Sequence, residues 1–194
     1  MNKGLTLVEL LVSIAIFGIL TVSLTGMFAA AMDAQASILQ NQEMLNQTSY
    51  AIEYMDRSIR MALRDDSASG DCTGVQYDNY GINVSETNSI QFLTYDTVDA
   101  QYKCKMFYLD GNVLKEKKST NMTSASFQAG VEIASPEIKF NSLVFTVVGD
   151  DYGNAQPIVT ITMNVQYNGA RRLDPIPSMV LQTSISQRNL NISE

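Results

Sequence analysis

The most prominent pattern in the chain is a long apolar stretch near its N-terminus. From Leu10 to Met32 there are 23 consecutive residues without a charged side chain. The few serines and threonines among them can return their hydroxyl groups to the backbone of a helix. A helix of this length measures about 35 Å, more than the roughly 30 Å of a bilayer's hydrocarbon core. The pattern therefore predicts a helix that can span a membrane.

Two other structures share this pattern. One is a cleaved secretory signal, for which Ala31 or Ala34 offers a small residue at a cleavage site. The other is the core helix of a soluble protein. A charged residue at the edge of the stretch, Glu9, argues against the secretory signal, because the apolar region of a signal has no use for a carboxylate at its start.

The helical pattern continues beyond the apolar stretch. No proline or glycine lies between residues 27 and 66, so we predict one helix from Leu5 to Arg64, about 90 Å long. A coiled coil is the alternative, but the polar Asn41 and Thr48 lie between the apolar positions. Four apolar residues recur every seven positions and predict the stripe that packs on a folded domain: Ile38, Leu45, Ile52 and Ile59.

The remaining residues alternate between apolar and polar in the manner of strands. Residues 103–118 predict a hairpin with Asp110 and Gly111 at its turn, since this dipeptide accepts the positive φ angles of a tight turn. The other predicted strands are residues 89–96, 143–150, 158–167 and 178–186. The predicted fold class is α+β, a long N-terminal helix packed on a C-terminal antiparallel β-sheet domain.

The composition argues against an enzyme. The chain has a formal net charge of −7, no histidine and two cysteines. Without histidine it lacks the commonest general base and the commonest metal ligand, and two cysteines cannot build a tetrahedral zinc site. We expect no catalytic residue, metal site or cofactor, and no direct binding of nucleic acid.

Two local clusters, residues 149–154 and 115–118, resemble binding sites in composition but are better explained as a turn and a strand end. Asp150, Asp151 and Asn154 lie close together in residues 149–154, but they lack the spacing of a calcium-binding EF-hand and read as a solvated turn. Residues 115–118, Lys-Glu-Lys-Lys, are expected to form an exposed strand end.

The basic residues predict the orientation in a membrane. Lys3 precedes the span and the next basic residue is Arg57, so the positive-inside rule places the N-terminus in the cytoplasm and the rest outside.

Disulfide bonds can form outside the cytoplasm, and Cys72 and Cys104 allow one intramolecular pairing. A disulfide between them would close a loop of the chain and add about 3 kcal/mol to the stability of the fold. Two unpaired thiols are the alternative.

The stretch KGLTLVELLVSIAIFGIL, residues 3–20, resembles the N-terminal signature of the type IV pilin superfamily, which includes the pseudopilins of type II secretion. The resemblance implies that prepilin peptidase cuts after Gly4 and that Leu5, where the family most often has phenylalanine, becomes the N-methylated first residue. It also implies that Glu9 is the retained carboxylate that pairs with the N-terminal amine of a neighbouring subunit during assembly.

The resemblance implies a division of the chain into four parts. These are a leader (1–4), a transmembrane and assembly helix (5–32), an amphipathic continuation of that helix (33–66) and an exported β-rich domain (67–194). The implied partners are other pilin or pseudopilin subunits, prepilin peptidase, the inner-membrane assembly platform and membrane lipid. The implied location is the cytoplasmic membrane and, after assembly, a periplasmic or cell-surface filament.

Three stretches resemble larger minor subunits, specifically pseudopilin J and the minor pilin W group: YAIEYMDRSIRMALRDD (50–66), FYLDGNVLKEK (107–117) and VLQTSISQRNL (180–190). Such subunits are thought to sit in the tip complex that primes polymerisation, a structural function. A membrane-anchored binding module, either an adhesin or a DNA-uptake receptor, is the main alternative. A secreted enzyme released by a conventional signal peptidase is the third, and its mature N-terminus would lie near Asp33 or Gln35.

Overall fold

The computed structural model describes residues 6–67, 70–83, 89–149, 156–169 and 176–188. The chain divides into two compact units, Met1–Gln42 and Glu43–Glu194. Among the described residues, the first unit consists of helix from Leu7 onward, and the second contains the end of the helix and the strands. The observed class is α+β, as predicted.

Helix α1 extends from Leu7 to Arg60 without interruption. The predicted start, Leu5, lies outside the described residues, and the predicted end at Arg64 is wrong. The helix ends earlier because Leu63 forms an antiparallel bridge with Leu93, its N–H donating to the Leu93 carbonyl at 2.8 Å. A residue paired with a strand cannot also continue the helical hydrogen-bond pattern.

The buried face of α1 in the second unit agrees with the predicted stripe at Ile59, which is buried, and at Ile52, which packs against the core, but it departs from the stripe towards the N-terminus. Ile38 and Leu45 are exposed. A strict seven-residue repeat drifts by about 20° per heptad around a straight helix, which carries these two positions away from the core. Spacings of three and four residues define the face that is fully buried: Met44, Thr48, Ala51, Met55 and Ile59. Thr48 is accommodated there because its hydroxyl donates to the Met44 carbonyl at 2.6 Å.

The strands form two antiparallel sheets, where the sequence analysis expected one. The first has the order β1-β2-β3-β4-β5 and the second the order β6-β7-β8. The first consists of β1 (Gly81–Asn83), β2 (Ser89–Asp96), β3 (Gln101–Asp110), β4 (Val113–Lys118) and β5 (Val131–Glu132). The second consists of β6 (Ile138–Val148), β7 (Ile158–Tyr167) and β8 (Ser178–Ser186). A single turn of 3-10 helix, Ser124–Ser126, lies between β4 and β5.

The β3–β4 hairpin turns one residue later than predicted. Asp110 pairs with Val113, so the two-residue loop is Gly111 and Asn112, and Gly111 takes the positive φ of 62°. Asn112 also connects the two sheets. Its carbonyl accepts from the N–H of Phe140 in β6 at 2.9 Å, and its Nδ2 donates to the Phe140 carbonyl at 3.2 Å.

One hydrophobic core joins the end of α1 to both sheets. The largest buried side chains come from all three elements: Met55 and Ile59 from the helix, Phe92 and Phe107 from the first sheet, and Phe140 and Ile161 from the second. Burial of side chains of this size is worth about 1.5 to 3 kcal/mol each. Removing the helix end would therefore uncover both sheets.

The loop after α1 is wound around a buried carboxylate. Asp65 and Asp78 close the loop, the N–H of Asp65 donating to the Asp78 carbonyl at 3.0 Å. The Asp65 Oδ2 accepts from the N–H groups of Cys72 and Thr73 at 2.8 and 3.1 Å, and Oδ1 accepts from the Ser67 hydroxyl at 2.6 Å. Burial alone raises the pKa of Asp65, but the hydrogen bonds from Ser67, Cys72 and Thr73 outweigh it and hold this pKa below its usual value.

Met44 and Leu45 are neighbours in sequence with opposite surroundings, so they test the observed register of the helix. We expect Met44→Ala to lower the free energy of unfolding by about 2 to 4 kcal/mol, because it leaves a cavity in the core. Leu45→Ala, the matched control, should cost less than about 1 kcal/mol. Urea unfolding of the full chain in detergent micelles measures both. Equal costs would support the predicted stripe through Leu45 instead.

The hydrogen bonds of Asp65 predict a dependence of stability on pH. The folded-state pKa is lowered, so ionised Asp65 stabilises the fold above its unfolded pKa of about 4, and this contribution is lost as the pH falls through the folded pKa. We expect Asp65→Asn to destabilise the chain by about 2 kcal/mol or more at pH 7, since the carboxamide offers one acceptor where the loop needs two. Unfolding curves of the two proteins should converge below about pH 4. A constant difference from pH 7 to pH 2 would contradict this explanation.

Candidate functional site

Helix α1 begins with a reciprocal pair of capping interactions between Thr6 and Glu9. The Thr6 hydroxyl oxygen accepts from the Glu9 N–H at 3.3 Å. In return, Glu9 Oε2 accepts from both the N–H and the hydroxyl of Thr6, each at 3.0 Å. This is the capping box, in which the first residue before a helix and the third residue within it satisfy each other's backbone groups. Glu9 therefore holds the start of its own helix.

Thr6 is a functional candidate that the sequence analysis did not single out. The signal was present, because a threonine followed three positions later by a glutamate, just before an apolar run, is the sequence signature of a capping box. The capping-box pattern places Glu9 in the first turn of the helix, where the positive end of the helix dipole favours a negative charge.

The Glu9 carboxylate keeps one oxygen available. Its Oε2 accepts from Thr6, whereas no described residue donates to Oε1 and none of the described lysines or arginines forms an ion pair with it. Glu9 is exposed within this chain, so a donor from outside the chain can reach it. The site can therefore accept one further hydrogen bond or ion pair.

The helix after Glu9 has the properties of a membrane span. Within Leu7–Arg60 lies a stretch long and apolar enough to cross a bilayer. The hydroxyls along it donate to carbonyls one turn back, as expected: Ser13 to Glu9, Thr21 to Phe17, Ser23 to Ile19 and Thr25 to Thr21, all at 2.6 to 3.0 Å. These polar side chains consequently add little to the cost of entering lipid.

The two residues expected to be processed, Gly4 and Leu5, lie outside the described residues, as does Lys3. So do Asp150, Asp151 and Asn154 of the calcium-like cluster. Their roles stay predictions.

Cys72 and Cys104 form the expected disulfide, with their Cα atoms 5.6 Å apart. Both residues are buried, and they form a small second core with Leu93. The bond joins the loop around Asp65 to strand β3. It supports the fold of the second unit, and we assign it no further role.

The Lys-Glu-Lys-Lys run is not the exposed strand end that the sequence predicted. It lies in β4, and Glu116 is buried. Glu116 Oε1 pairs with Lys105 Nζ at 2.8 Å, and Oε2 accepts from the Tyr54 hydroxyl at 2.7 Å. Burial and the neighbouring Glu116 raise the pKa of Tyr54 well above its usual value. This network ties β3 and β4 to the helix, with an ion pair at one oxygen of the carboxylate and a hydrogen bond at the other.

The arginines near the end of α1 make local contacts at the surface. Arg57 pairs with Glu53, and Arg60 pairs with Asp56 at 2.8 Å, both within the helix. Arg64 lies beyond the helix and pairs with Asp66 at 2.6 Å. Exposed pairs of this kind contribute about 1 kcal/mol or less. These arginines therefore belong to a solvated face, and their contacts give no indication of a binding site.

Comparison with known proteins gives one match. Residues 1–25 match the family model for the prokaryotic N-terminal methylation motif. No curated protein and no solved structure matches the chain. The matched residues include Glu9, Thr6 and the start of the apolar helix. The N-terminal part of the chain is therefore similar to that of type IV pilins and pseudopilins, a similarity that indicates membrane anchoring and assembly with other such subunits.

Proposed function

We propose that this protein is a minor pilin or pseudopilin, a structural subunit of a type IV pilus or type II secretion filament that acts in the priming or tip complex. The observation that carries the proposal is the methylation motif at residues 1–25, which includes the start of a helix whose first turn is capped by Thr6 and Glu9. The exported domain of two antiparallel sheets on the helix end agrees with a structural role.

The proposed assembly step uses the free oxygen of Glu9. After cleavage between Gly4 and Leu5, the new N-terminal amine of one subunit approaches the Glu9 carboxylate of its neighbour. An ion pair at 4 Å is worth about 4 kcal/mol at an effective dielectric constant of 20 and about 1 kcal/mol in bulk water. The apolar surroundings of the helix therefore make this contact strong enough to guide assembly.

The capping box gives Glu9 a second role before assembly. A carboxylate at a membrane span lacks water to solvate it, and its bonds to Thr6 supply part of what water would provide. Thr6 is thus proposed as a positioning residue. It orients Oε2 toward the helix, which leaves Oε1 for the neighbouring subunit.

Processing provides the first test. We expect the chain, produced together with a prepilin peptidase, to lose residues 1–4 and to carry one added methyl group on Leu5, measured by intact mass and N-terminal sequencing. Gly4→Leu should block cleavage, whereas Asn2→Ser, a change in the same leader, should not. A mature N-terminus near Asp33 or Gln35 would refute the proposal and identify a conventional secretory signal.

Substitutions at Glu9 separate its two roles. Glu9→Gln keeps an oxygen that can accept from Thr6 but removes the charge, whereas Glu9→Ala removes both. If the ion pair drives assembly, both variants should insert into the membrane normally and enter filaments at least tenfold less than wild type. Thr6→Val tests the cap alone and should have a smaller effect, at most about fivefold, since one cap is worth about 1 kcal/mol.

Incorporation is measured as the fraction of the protein in sheared or purified filaments, normalised to its membrane level. Normal incorporation of Glu9→Gln would contradict the charge pairing and leave only the cap. Normal incorporation of Glu9→Ala would contradict both roles.

A further inference from the structure

The second sheet differs sharply from the first in its charge. The strands of the first sheet carry nine charged residues, among them four consecutive ones in β4. In β6, β7 and β8 together, Lys139 is the one charged residue. The second sheet is thus a nearly charge-free part of a chain with 33 charged residues.

The outer face of this sheet is charge-free over four consecutive rows. The rows lie across the three strands, from Val148, Ile158 and Ser186 at one end to Ser142, Asn164 and Val180 at the other. An ordinary protein surface, about 25 to 35% charged, would place three or four charged residues on these twelve positions. Depletion of charge is characteristic of the central part of a protein interface.

The two edge strands of the second sheet, β6 and β8, differ in how well they are protected from pairing with a strand of another chain. The β6 edge has Lys139, a register shift between Phe140 and Ser142, and the hydrogen bonds from Asn112. Charges, bulges and covering loops are the usual means by which proteins prevent an edge strand from pairing with another chain. No protection of this kind is seen at the β8 edge among the residues that the structure describes, for Ser178–Ser186 contains no charge and no proline. Within the described part of the chain, β8 pairs only with β7.

We propose that the outer edge of β8 pairs antiparallel with the same edge of a second copy of this chain, which joins the two sheets into one of six strands. An unpaired edge presents a row of N–H and C=O groups that an extended strand satisfies. Self-pairing about the midpoint of the strand places Gln182 opposite itself. It also places Met179 of one copy opposite Ile185 of the other on the inner face.

The charge pattern favours a second copy as the occupant. When a strand pairs with itself, a charged residue at its centre meets an identical charge, which is destabilising. β8 avoids this at every position, and the central glutamine can both donate to and accept from its own copy. Val180, which is 69% exposed, comes to lie opposite Ser184 of the second copy on the outer face, so no charge meets it there. The contact is short compared with a standard interface, so we expect a weak and exchanging dimer.

Cysteine cross-linking of the full chain in detergent micelles tests this proposal. We expect Gln182→Cys to form a disulfide-linked dimer on mild oxidation, at least fivefold more than Ser142→Cys or Thr146→Cys. These controls are exposed positions of β6 on the same face. They also report any background from association of the apolar helices. The native disulfide should stay intact in all variants.

A charge on the edge provides the second measurement. In the Gln182→Cys protein, Val180→Lys should reduce the cross-linked dimer at least fivefold, whereas Thr146→Lys should leave it unchanged. Melting temperatures within a few degrees of each other would establish that all variants fold. Cross-linking at position 182 no greater than at 142 and 146, or unaffected by Val180→Lys, would overturn the proposal. That result would not affect the role of Glu9, which is measured separately by incorporation into filaments.

Discussion

The constraint on which the rest of the structure depends is that one helix has to satisfy two different surroundings. Along its first half α1 is apolar on all sides. Its few hydroxyl groups donate hydrogen bonds to the helix backbone, so they do not need water as a partner. Along its last five turns only the face from Met44 to Ile59 is apolar and buried. An α-helix can serve both because its backbone hydrogen bonds are internal in either case.

The end of this helix is determined by residues far away in the sequence. The Ile59 carbonyl accepts from the Tyr80 hydroxyl, and the Arg60 carbonyl accepts from the N–H of Arg188. The Ala62 carbonyl accepts from Gln187. Local sequence continues to favour helix through Arg64, so no local signal could have located the end. Tertiary contacts decided it.

Strands β2, β7 and β8 have the predicted bounds. In β7 one face is buried along most of the strand, and strict alternation of apolar and polar residues specifies both the strand and its register. β1 and β5 are too short to show alternation. Glu116 was misjudged because three lysines surround it in the sequence. In a strand, however, it shares a face with the buried Leu114, and Tyr54 of the helix meets it there.

The candidate site was predictable in part for a similar reason. The position of Glu9 at the edge of an apolar run is visible in the sequence, and so is its spacing from Thr6. Which of its oxygens remains available is not, because that depends on the orientation of the side chain. The disulfide was predictable because two cysteines allow only one internal pairing.

Two buried carboxylates among the described residues, Asp65 and Glu116, can be compared with Glu9 at the edge of the apolar helix. Asp65 and Glu116 are buried, and donors from the chain itself reach both oxygens of each. Glu9 has donors for Oε2 alone among the described residues. An incompletely paired carboxylate at the edge of a membrane span is costly unless another molecule completes it. This difference supports the proposal that Glu9 is one half of a contact whose other half is the processed N-terminus of a neighbouring subunit.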